Sequence, residues 1–340
     1  MKPIDAILQR IRAQGPITFA DYMELALYGP GGFYEEPPVG RRTGSDFATS
    51  PHVSPVFAEL LAQILAGLSD GEMRLVELGA GDGTLGSQLR GSLGEGLDYT
   101  GVETSPNAIA SMRERGLRTA PLAEAIPPGW SGLVLAHELL DNLPFRRVRV
   151  TNGAVEELMV VEAEDGKLGY RARPCPEEVA AAAPPLDEGE EATIPLAARE
   201  LIRTLATRMS SGVVLIVDYE SAGGPWGYRD HARRSDLLEE PGSADITAGI
   251  NFGSLATFAS SVGFHVEGPV SQREALLDAG FASLDEQLLA EQARAQEEGR
   301  AREALRLWSY RREAQLLIDP TGLGGHRWMR LHLGQSRSSA

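Results

Sequence analysis

A glycine-rich turn between a strand pattern and a helix pattern constrains the fold of this chain more than any other part of its sequence. The β-rich run RLVELG begins at position 74, and the run AGDGTLGSQLR from position 80 changes to helical spacing. Glycines in such a turn permit positive φ angles and let a ligand approach the backbone at the carboxyl edge of a sheet. The sequence therefore predicts a strand, a tight turn and a helix over residues 74–90.

Further strand and helix patterns follow along the chain. The strand patterns are DYTGVE (98–103), GLVLAHE (132–138) and VVLIVDY (213–219), and a helical pattern at 197–209 precedes the last of them. Strands that alternate with helices form a parallel sheet with helices on both faces. We therefore predict an α/β fold, to which residues 284–318 add two packed helices.

The remaining patterns divide the chain into a core and two additions. Turn sequences interrupt the helical spacing of residues 1–70, which we interpret as an N-terminal helical cap or lid. The core is predicted at 71–144 and 196–340. Residues 145–195 alternate with period 2 between turn signals, which predicts an antiparallel β insertion. Its last part, 181–195, is acidic and contains prolines, and we interpret it as a solvated linker.

The charge of the chain limits its partners. It has 32 Lys and Arg against 48 Asp and Glu, a formal net charge of −16, and a pI near 4.9. Such a field repels nucleic acid and anionic membranes, so we expect neither as a partner. The partners that remain compatible with this charge are a protein substrate or a small-molecule acceptor that is neutral or cationic. The sequence does not indicate an oligomeric state.

Cysteine content and hydropathy indicate the compartment. Cys175 is the single cysteine, so the chain forms no internal disulfide, and we interpret it as a surface thiol rather than a nucleophile. Charged residues interrupt the apolar positions of the N-terminus, and no apolar run approaches the roughly 18 residues of a membrane span. We therefore expect a cytoplasmic protein without a signal peptide or membrane span.

Several common sites are disfavoured. The six histidines are scattered without metal-ligand spacing, and His137-Glu138 lacks the second histidine of an H-E-x-x-H motif because position 141 is Asp. No metal is expected. A dinucleotide fingerprint requires glycine where the chain has Thr84, and no G-x-S-x-G elbow follows a strand, which weakens a hydrolase function.

Two acidic residues flank the glycine turn and indicate its ligand. Glu77 lies two positions before the first glycine, where a carboxylate suits an ammonium group and would repel a pyrophosphate. Glu103 ends the next strand, where it can accept hydrogen bonds from both hydroxyls of a ribose. These features predict S-adenosyl-L-methionine as the cofactor. The residues predicted to bind it are Glu77, Gly79, Gly81, Gly83, Glu103 and Thr104.

The loop after the third strand pattern, HELLDNLP (137–144), opens at the same edge of the sheet. Glu138 and Asp141 are our candidates for orienting an acceptor and taking up its proton, because a guanidinium requires carboxylate partners. His137 could instead be a general base for a hydroxyl acceptor. The alternative for the two acids is structural, with Asp141 as a helix cap and Glu138 solvated.

Several spaced blocks resemble the MidA-like class I S-adenosylmethionine-dependent methyltransferases, whose mitochondrial member is a complex I assembly factor that dimethylates a protein arginine. The blocks include GPITFADYMELALYGPGGFY, SDFATSPHVSPVFAELLA, LVELGAGDGTL, VETSP, HELLDNLP, LIVDYE, ADITAGINF and LIDPTGLG. The resemblance implies a Rossmann-like seven-stranded sheet. It also implies that the N-terminal segment and the insertion close over the cofactor.

The matching blocks place further residues near the substrate or the lid. These are Asp46, Thr49, Ser50, Asp218 and Tyr219; for the first three an ordinary turn and helix N-cap is the alternative, and Tyr219 could simply be packing. Four residues depart from the family pattern at such positions. His52 replaces Glu, His137 replaces Asn, Glu220 replaces Gly and Gly249 replaces His.

Three functions remain open from the sequence. The first is methylation of a protein arginine, as the resemblance implies. The second is methylation of a small molecule at a hydroxyl or amine, which the four departures permit. The third is a non-catalytic assembly factor that binds the cofactor or a partner chain. A wide acidic cleft would favour a protein substrate, and a closed apolar pocket a small molecule.

Overall fold

The computed structural model describes residues 2–35, 49–69, 71–221, 224–229 and 232–334. Its α-helices are α1 (Pro3–Gln14), α2 (Phe19–Met23), α3 (Ser50–Val53), α4 (Val56–Leu68), α5 (Thr84–Leu93), α6 (Pro106–Glu114), α7 (Leu122–Ala125), α8 (Glu177–Ala180), α9 (Leu196–Arg208), α10 (Phe252–Ser261), α11 (Gln272–Asp278), α12 (Phe281–Glu297) and α13 (Ala301–Leu316). A π-helical turn lies at Glu24–Tyr28, and 3-10 turns lie at Phe33–Glu35, Gly94–Gly96 and Leu323–Gly325.

The strands form three sheets. In chain order they are β1 (Met73–Leu78), β2 (Leu97–Val102), β3 (Trp130–His137), β4 (Arg146–Thr151), β5 (Ala154–Glu162), β6 (Leu168–Pro174), β7 (Glu191–Ile194), β8 (Met209–Asp218), β9 (Trp226–Arg229), β10 (Ala232–Arg234), β11 (Asp245–Thr247), β12 (His265–Ser271) and β13 (Arg327–Leu333). The strands predicted at 98–103, 132–138 and 213–219 are confirmed as β2, β3 and β8.

The main sheet has the order β12-β13-β8-β3-β1-β2. Strands β2, β1, β3 and β8 are parallel, whereas β13 runs antiparallel to both of its neighbours, β8 and the edge strand β12. The α/β fold with a mostly parallel, Rossmann-like sheet is therefore confirmed. Because parallel strands end at one edge, the loops after β1, β2, β3 and β8 meet there.

The expectation of seven strands is wrong for the described part of the chain, whose main sheet has six. After α6 the chain makes only an isolated parallel bridge, Gly101 to Thr119. Gly101 donates to the Arg118 carbonyl at 2.9 Å, and Ala120 donates to the Gly101 carbonyl at 3.2 Å. Pro121 follows at once and has no N–H for the ladder, so a helix begins there instead of a strand extending.

Two apolar clusters cover the two faces of this sheet. Helices α4 and α5 pack on one face, and α9 and α10 on the other. Helix α4 falls within the range 1–70 that the sequence assigned to the cap, but its buried residues Phe57, Leu61 and Leu65 belong to the core cluster with Leu75 of β1. Its apolar stripe needs a partner surface, and the sheet provides it.

The segment before α4 packs elsewhere. Phe19, Tyr22 and Met23 are buried in a third cluster with Phe145 and Val160, which belong to the region of the insertion. An isolated bridge also joins Ile17 to the strand β5. The N-terminal segment and the insertion therefore form one body above the sheet.

The insertion is a four-stranded antiparallel sheet, β6-β5-β4-β7, so the antiparallel β prediction is confirmed. The interpretation of 181–195 as a solvated linker is wrong at its end, because β7 pairs with β4. Ile194 is fully buried, and Glu191 accepts hydrogen bonds from Arg147 and Arg149. The acidic composition is typical of a linker, but the strand β7 lies there and its charge is paired with residues of the neighbouring strand β4.

The two predicted helices at 284–318 are confirmed as α12 and α13, which pack on each other and are separated by Gly299 at φ 73°. Arg311 of α13 forms a bidentate pair with Asp285 of α12 at 3.0 Å. Within the described residues, no helix is both long and apolar enough to cross a membrane.

Candidate active site

A cavity of about 600 Å³ opens at the carboxyl ends of β1, β2, β3 and β8. Among the described residues that line it there is no lysine or arginine, and the basic groups are His52 and His137. The carboxylates that line it are Glu24, Glu77, Asp82, Glu103, Glu138, Asp141 and Asp245. The cavity therefore suits cationic groups.

The glycine turn forms the floor of the cavity. Gly79, Gly81 and Gly83 have φ angles of 66°, 54° and 79°, so the predicted positive φ values are confirmed. A Cβ on Gly79 would come within 2.8 Å of Leu139, whereas a Cβ on Gly81 would meet no atom within 4 Å. Glycine is thus required at position 81 for its backbone angle, and its N–H points toward the end of β2.

Glu103 connects this turn to the loop after β2. Its Oε2 accepts the Gly81 N–H at 3.0 Å, and its Oε1 accepts the N–H groups of Thr104 at 2.6 Å and Ser105 at 3.0 Å. The carboxylate is therefore fixed before any ligand binds. Since each oxygen has two lone pairs, Oε2 retains capacity for a further donor such as a ribose hydroxyl.

Glu77 is buried under the turn and lines the cavity. Its Oε2 accepts the Tyr99 hydroxyl at 2.5 Å. Burial raises the pKa of Glu77 to about 8 despite this hydrogen bond, so the carboxyl is neutral in the ligand-free protein near pH 7. An ammonium group beside it would favour the charged form.

Asp82 was not among the residues predicted from the sequence, yet it anchors the turn. It is buried, accepts the N–H and hydroxyl of Thr84 at 3.0 and 2.9 Å, and pairs with Arg115 at 3.1 Å. His52 lies 3.4 Å from its Oδ1. Burial opposes ionisation, but the hydrogen bonds from His52 and Thr84 outweigh it and lower the pKa of Asp82. The unusual His52 thus has a partner in the turn.

The loop after β3 holds Glu138 in a left-handed conformation, φ 49°. Its carboxyl is buried, so the alternative in which Glu138 is solvated is wrong. Oε2 accepts the Tyr219 hydroxyl at 3.0 Å, whereas Oε1 has no hydrogen-bond partner among the described residues. Burial, followed by the charge of Asp141, raises the pKa of Glu138 to about 8.

Asp141 is buried on the same loop. Its Oδ2 accepts the Thr247 hydroxyl at 2.7 Å, and its Oδ1 has no partner in the described part of the chain. Asp218 at the end of β8 accepts the N–H groups of Leu140 at 2.9 Å and Asp141 at 3.3 Å, and so holds the loop. Burial and the neighbouring carboxylates raise the pKa of Asp141 well above its usual value, and that of Asp218 to about 7.

His137 lines the cavity, but most of its side chain is buried. It is 8% exposed, and its ring packs against Phe57 with centroids 5.1 Å apart. Its Nε2 is 3.3 Å from Oε1 of Glu138. Burial lowers the pKa of His137 to about 3, which makes the imidazole a weak base.

The residues predicted for the substrate or the lid have different environments. Asp46 lies outside the described residues. Thr49 occupies the N-cap position of α3 but makes no capping bond, and its hydroxyl is 2.7 Å from Nδ1 of His52. Ser50 is buried and bonded to Gln272. Tyr219 packs edge-on against His326 in addition to its bond with Glu138.

A roof segment, residues 28–35, lines the cavity; it lies within the predicted N-terminal cap, but its individual residues were not predicted. The Tyr28 hydroxyl donates to the Asn142 carbonyl at 3.0 Å, and the Tyr34 hydroxyl donates to Asp245 at 2.9 Å. On the other side, Ser105 donates to the Tyr34 carbonyl at 2.9 Å. Asn142 also donates to Asp245 at 3.0 Å. The roof is thus fastened to the loops after β2 and β3.

Only the surrounding motifs, GPGGFY, HELLDNLP and ADIT, could have indicated these roof residues, because their contacts join distant parts of the chain.

The other two departures from the family pattern, Glu220 and Gly249, lie together. A Cβ on Gly249 would come within 2.1 Å of Ser221, so a larger residue does not fit there without a shift. Glu220 pairs with Arg327 at 2.7 Å and is bridged to Ile250.

These features fit an adenosyl amino acid. The positive-φ turn offers a close backbone approach, the fixed Glu103 has a free lone pair, and Glu77 and the other cavity acids suit an ammonium and a sulfonium. In the described residues no cluster of three or more ligating side chains could hold a metal ion.

Comparisons with known proteins agree with this fit. A family model described as S-adenosyl-L-methionine-dependent methyltransferase matches residues 56–270. The mitochondrial protein arginine methyltransferase NDUFAF7 of Danio rerio is 32% identical over 333 residues, covering 84% of this chain and 78% of that protein. Its Drosophila melanogaster homologue is 30% identical over 314 residues, covering 77% and 71%.

A solved structure is similar over nearly the whole chain. It is a superfamily member and likely methyl transferase from Burkholderia thailandensis bound to S-adenosyl-homocysteine, with a TM-score of 0.84 and 28% identity, covering 99% of this chain and 93% of the other. A native crystal structure from the same organism has a TM-score of 0.82 and 27% identity, covering 99% and 92%.

Proposed function

Because the chain belongs to the family of S-adenosyl-L-methionine-dependent methyltransferases, with S-adenosyl-L-methionine as its cofactor, we propose that it methylates the guanidinium group of a protein arginine. The observation that carries this proposal is the pair of buried carboxylate oxygens without hydrogen-bond partners among the described residues, Oε1 of Glu138 and Oδ1 of Asp141. A buried polar atom without a partner is costly unless a ligand satisfies it.

A guanidinium satisfies such oxygens well. It carries five N–H donors in a planar fork and remains charged, so two carboxyl groups can orient it through charge-assisted hydrogen bonds. The absence of lysine and arginine from the described cavity lining leaves the acids available to a cationic acceptor. Its arrival favours the charged forms of Glu138 and Asp141, whose pKa values are raised by burial in the ligand-free protein.

The cofactor supplies a methyl group that its sulfonium has already activated as an electrophile. The residues of this chain therefore need to hold and orient the acceptor and to take up the proton that it loses. The guanidinium nitrogen gains the methyl group and loses one proton, and Glu138 accepts that proton on Oε1. Tyr219 keeps the second oxygen of Glu138 occupied through its hydroxyl, so the proton has one defined destination.

Two features argue against the alternative of a hydroxyl acceptor. The imidazole of His137 is buried, and the pKa lowered to about 3 leaves it too weakly basic to take a proton from an alcohol or phenol near neutral pH. With a neutral acceptor, the unpartnered oxygens of the buried Glu138 and Asp141 would also lack a cationic partner. The names of the relatives also support an arginine acceptor, since several are named protein arginine methyltransferases.

The test uses labelled cofactor with a cell lysate and the Glu138→Gln variant. Glu138→Gln retains the size of the side chain and removes the proton acceptor, so protein labelling should fall at least about a hundredfold, within the usual contribution of general base catalysis. Glu164→Gln, an exposed carboxylate in the turn of the insertion, is the control and should label normally. Label confined to small molecules, or protein labelling unaffected by Glu138→Gln, contradicts the proposal.

A further inference from the structure

The side chain of Tyr28 lines the cavity from the first position of the roof segment. It is 38% exposed, whereas Phe19, Tyr22 and Met23 of the same N-terminal segment are fully buried. Tyr28 ends the π-helical turn Glu24–Tyr28, a kind of distortion that is frequent at functional sites. An exposed aromatic ring in a cavity is a surface for a ligand to cover.

Two contacts fix the orientation of the Tyr28 ring. Its hydroxyl donates to the Asn142 carbonyl at 3.0 Å, and its ring stacks on Tyr34 with centroids 5.4 Å apart and planes inclined by 13°. Tyr34 is fastened in turn, because its hydroxyl donates to Asp245 at 2.9 Å. Since the hydroxyl of Tyr28 is bonded and one face packs on Tyr34, the exposed area belongs to the other face and the edge of the ring.

The same contacts place Tyr28 beside the acids of the loop after β3. Asn142, which accepts the Tyr28 hydroxyl, directly follows Asp141 in the chain. Tyr28, Glu138 and Asp141 all line one cavity. Oε1 of Glu138 and Oδ1 of Asp141 are the buried oxygens without partners among the described residues. An aromatic face and two free acceptor oxygens therefore border the same space.

A guanidinium uses these two kinds of surface at the same time. Its five N–H donors lie in the plane of the group and match carboxylate oxygens, whereas its flat faces stack on aromatic rings. The face of a tyrosine ring attracts a cation within about 6 Å of the ring centroid. An ammonium group has no flat face, so the combination of ring and carboxylates favours a guanidinium over an ammonium.

The arginines of this chain show the stacking geometry elsewhere. The guanidinium carbon of Arg147 lies 5.2 Å from the ring centroid of Phe19 and 4.7 Å from that of Tyr170. No arginine or lysine of the described residues lies over Tyr28 in this way. Within that part of the chain, its exposed face is thus open to a cation from outside.

We propose that Tyr28 is a specificity-determining residue for the acceptor, whose exposed ring face receives the guanidinium while Glu138 and Asp141 bind its N–H groups. This inference rests on the proposed function, since it requires a guanidinium as the acceptor. The nitrogen electron pairs of a guanidinium are delocalised perpendicular to its plane, so a methyl group bonds from one face. With one face on Tyr28, the opposite face is left for the methyl donor.

The experiment measures the binding of small acceptor probes to the full chain saturated with S-adenosyl-homocysteine, by NMR titration. The probes are butylguanidinium, butylammonium, and butylurea, which is flat like the guanidinium but neutral. In the wild type, butylguanidinium should bind more tightly than either of the others. In Tyr28→Leu its dissociation constant should increase about fivefold, the usual scale of a cation–π contact, whereas that of butylurea should change less than about twofold.

Two further variants separate the ring from other effects. Tyr28→Phe retains the ring and loses only the bond to Asn142, so its affinity for butylguanidinium should stay within about threefold of the wild type. Tyr310→Leu removes a tyrosine that bonds to Glu59 on α4 and should leave the probe affinities unchanged. Because butylguanidinium and butylurea are compared on the same protein, a loss of folded material does not change their ratio.

The cofactor offers a second cation, the sulfonium of S-adenosyl-L-methionine. If the ring of Tyr28 covered the sulfonium, Tyr28→Leu would weaken binding of S-adenosyl-L-methionine more than that of S-adenosyl-homocysteine, which lacks the charge. We expect the ratio of these two affinities to be the same in the wild type and the variant. A change of about threefold or more in that ratio assigns the ring to the cofactor and overturns the inference.

Equal losses for butylguanidinium and butylurea in Tyr28→Leu would show a contact of shape alone and overturn the inference, as would a wild type that does not prefer butylguanidinium over butylammonium. Failure of the proposed function is recognised separately, because the lysate assay then labels only small molecules. If protein is labelled and the labelling depends on Glu138, while Tyr28→Leu leaves the ratio of guanidinium to urea affinity unchanged, the function stands and the role of Tyr28 is rejected.

Discussion

The Tyr219 hydroxyl donates a 3.0 Å hydrogen bond to Oε2 of Glu138, and Oε1 of the same carboxyl has no partner in the described part of the chain. The end of β8 thus orients an acid on the loop after β3. Because burial keeps this carboxyl neutral in the ligand-free protein near pH 7, a cationic acceptor both provides a donor for Oε1 and ionises the group.

Glu103→Ala should weaken binding of S-adenosyl-homocysteine by on the order of 1 to 3 kcal/mol, the cost of removing a charged hydrogen-bond partner. The Gly81 N–H loses its acceptor in the same variant, which disorders the turn. Titration calorimetry measures the change, with the exposed Glu95→Ala as the control. An unchanged affinity would place the ribose elsewhere, and NADH should not bind at comparable concentration.

The stability of the ligand-free protein should fall as the pH rises from about 7 to 9. Burial raises the pKa of Glu77 and Glu138 to about 8, so the folded state holds protons that the unfolded state has already released. Their stabilising contribution is complete below the unfolded pKa near 4.5 and is lost as the pH passes through about 8. Each such proton changes the free energy of unfolding by roughly 1.4 kcal/mol per pH unit while only the folded state holds it, by about half that rate at pH 8, and by almost nothing above about pH 9.

Thermal melts at several pH values measure this slope above pH 7, where the histidines contribute little. There His137 and His326 are neutral in the folded state because burial lowers their pKa to about 3 and about 4, and histidines of the unfolded state, with a pKa near 6.5, are mostly neutral too. Glu138→Gln should flatten the slope, since its amide does not titrate. A Tm that is constant or that increases over this range is inconsistent with neutral buried acids.

Tyr34→Phe should loosen the roof segment and lower kcat/KM severalfold. The variant retains the stacked ring beside Tyr28 and loses only the hydroxyl bond to Asp245, worth about 1 kcal/mol. Water exclusion from the methyl donor depends on this closure. Tyr310→Phe loses a similar bond, to Glu59 on α4, and is the matched control that should retain activity. Equal activities in the two variants would show that the roof does not gate transfer.

His137→Asn should retain methyl transfer to arginine within a few-fold, although Tm should fall because the contact with Phe57 is lost. The imidazole is a weak base in this environment, so its removal costs no proton acceptor. Assays with labelled cofactor measure methyl transfer to protein and to hydroxyl acceptors by the wild type and the variant. Loss of transfer to a hydroxyl compound would establish His137 as a base and favour the small-molecule alternative.

Removal of residues 1–40 tests the lid function of the N-terminal cap. This change removes the roof segment and the buried cluster around Phe19, so we expect turnover to be lost even where the remaining sheet binds the cofactor. Circular dichroism and cofactor titration identify whether the truncated chain folds. Full methyl transfer by a folded truncated chain would contradict the lid function of this segment.

Much of the cofactor half of the site was predictable because it depends on local patterns. The glycines of the turn were predicted from their spacing after a strand, and their φ angles confirm it. The strands β2, β3 and β8 followed from short apolar runs. The strand β7 was missed because its acidic residues resemble a linker until Arg147 and Arg149 are seen beside them.

The acceptor half depends on contacts that no local pattern reports. Tyr34 meets Asp245, and Gln272 meets Ser50, across more than two hundred residues of sequence. His137 was open to interpretation as a base until its burial against Phe57 was known. In each case the decisive quantity is the environment of a side chain, and the environment is made by distant segments.

The sequence by itself determined the α/β class, the turn and the identity of the cofactor, because backbone angles and strand periodicity are properties of consecutive residues. Only the tertiary structure decided which acids are buried, which oxygens of Glu138 and Asp141 lack partners among the described residues, and which groups hold them. Desolvation and hydrogen-bond satisfaction arise when separate segments pack together. They set the pKa values that make a carboxyl a proton acceptor.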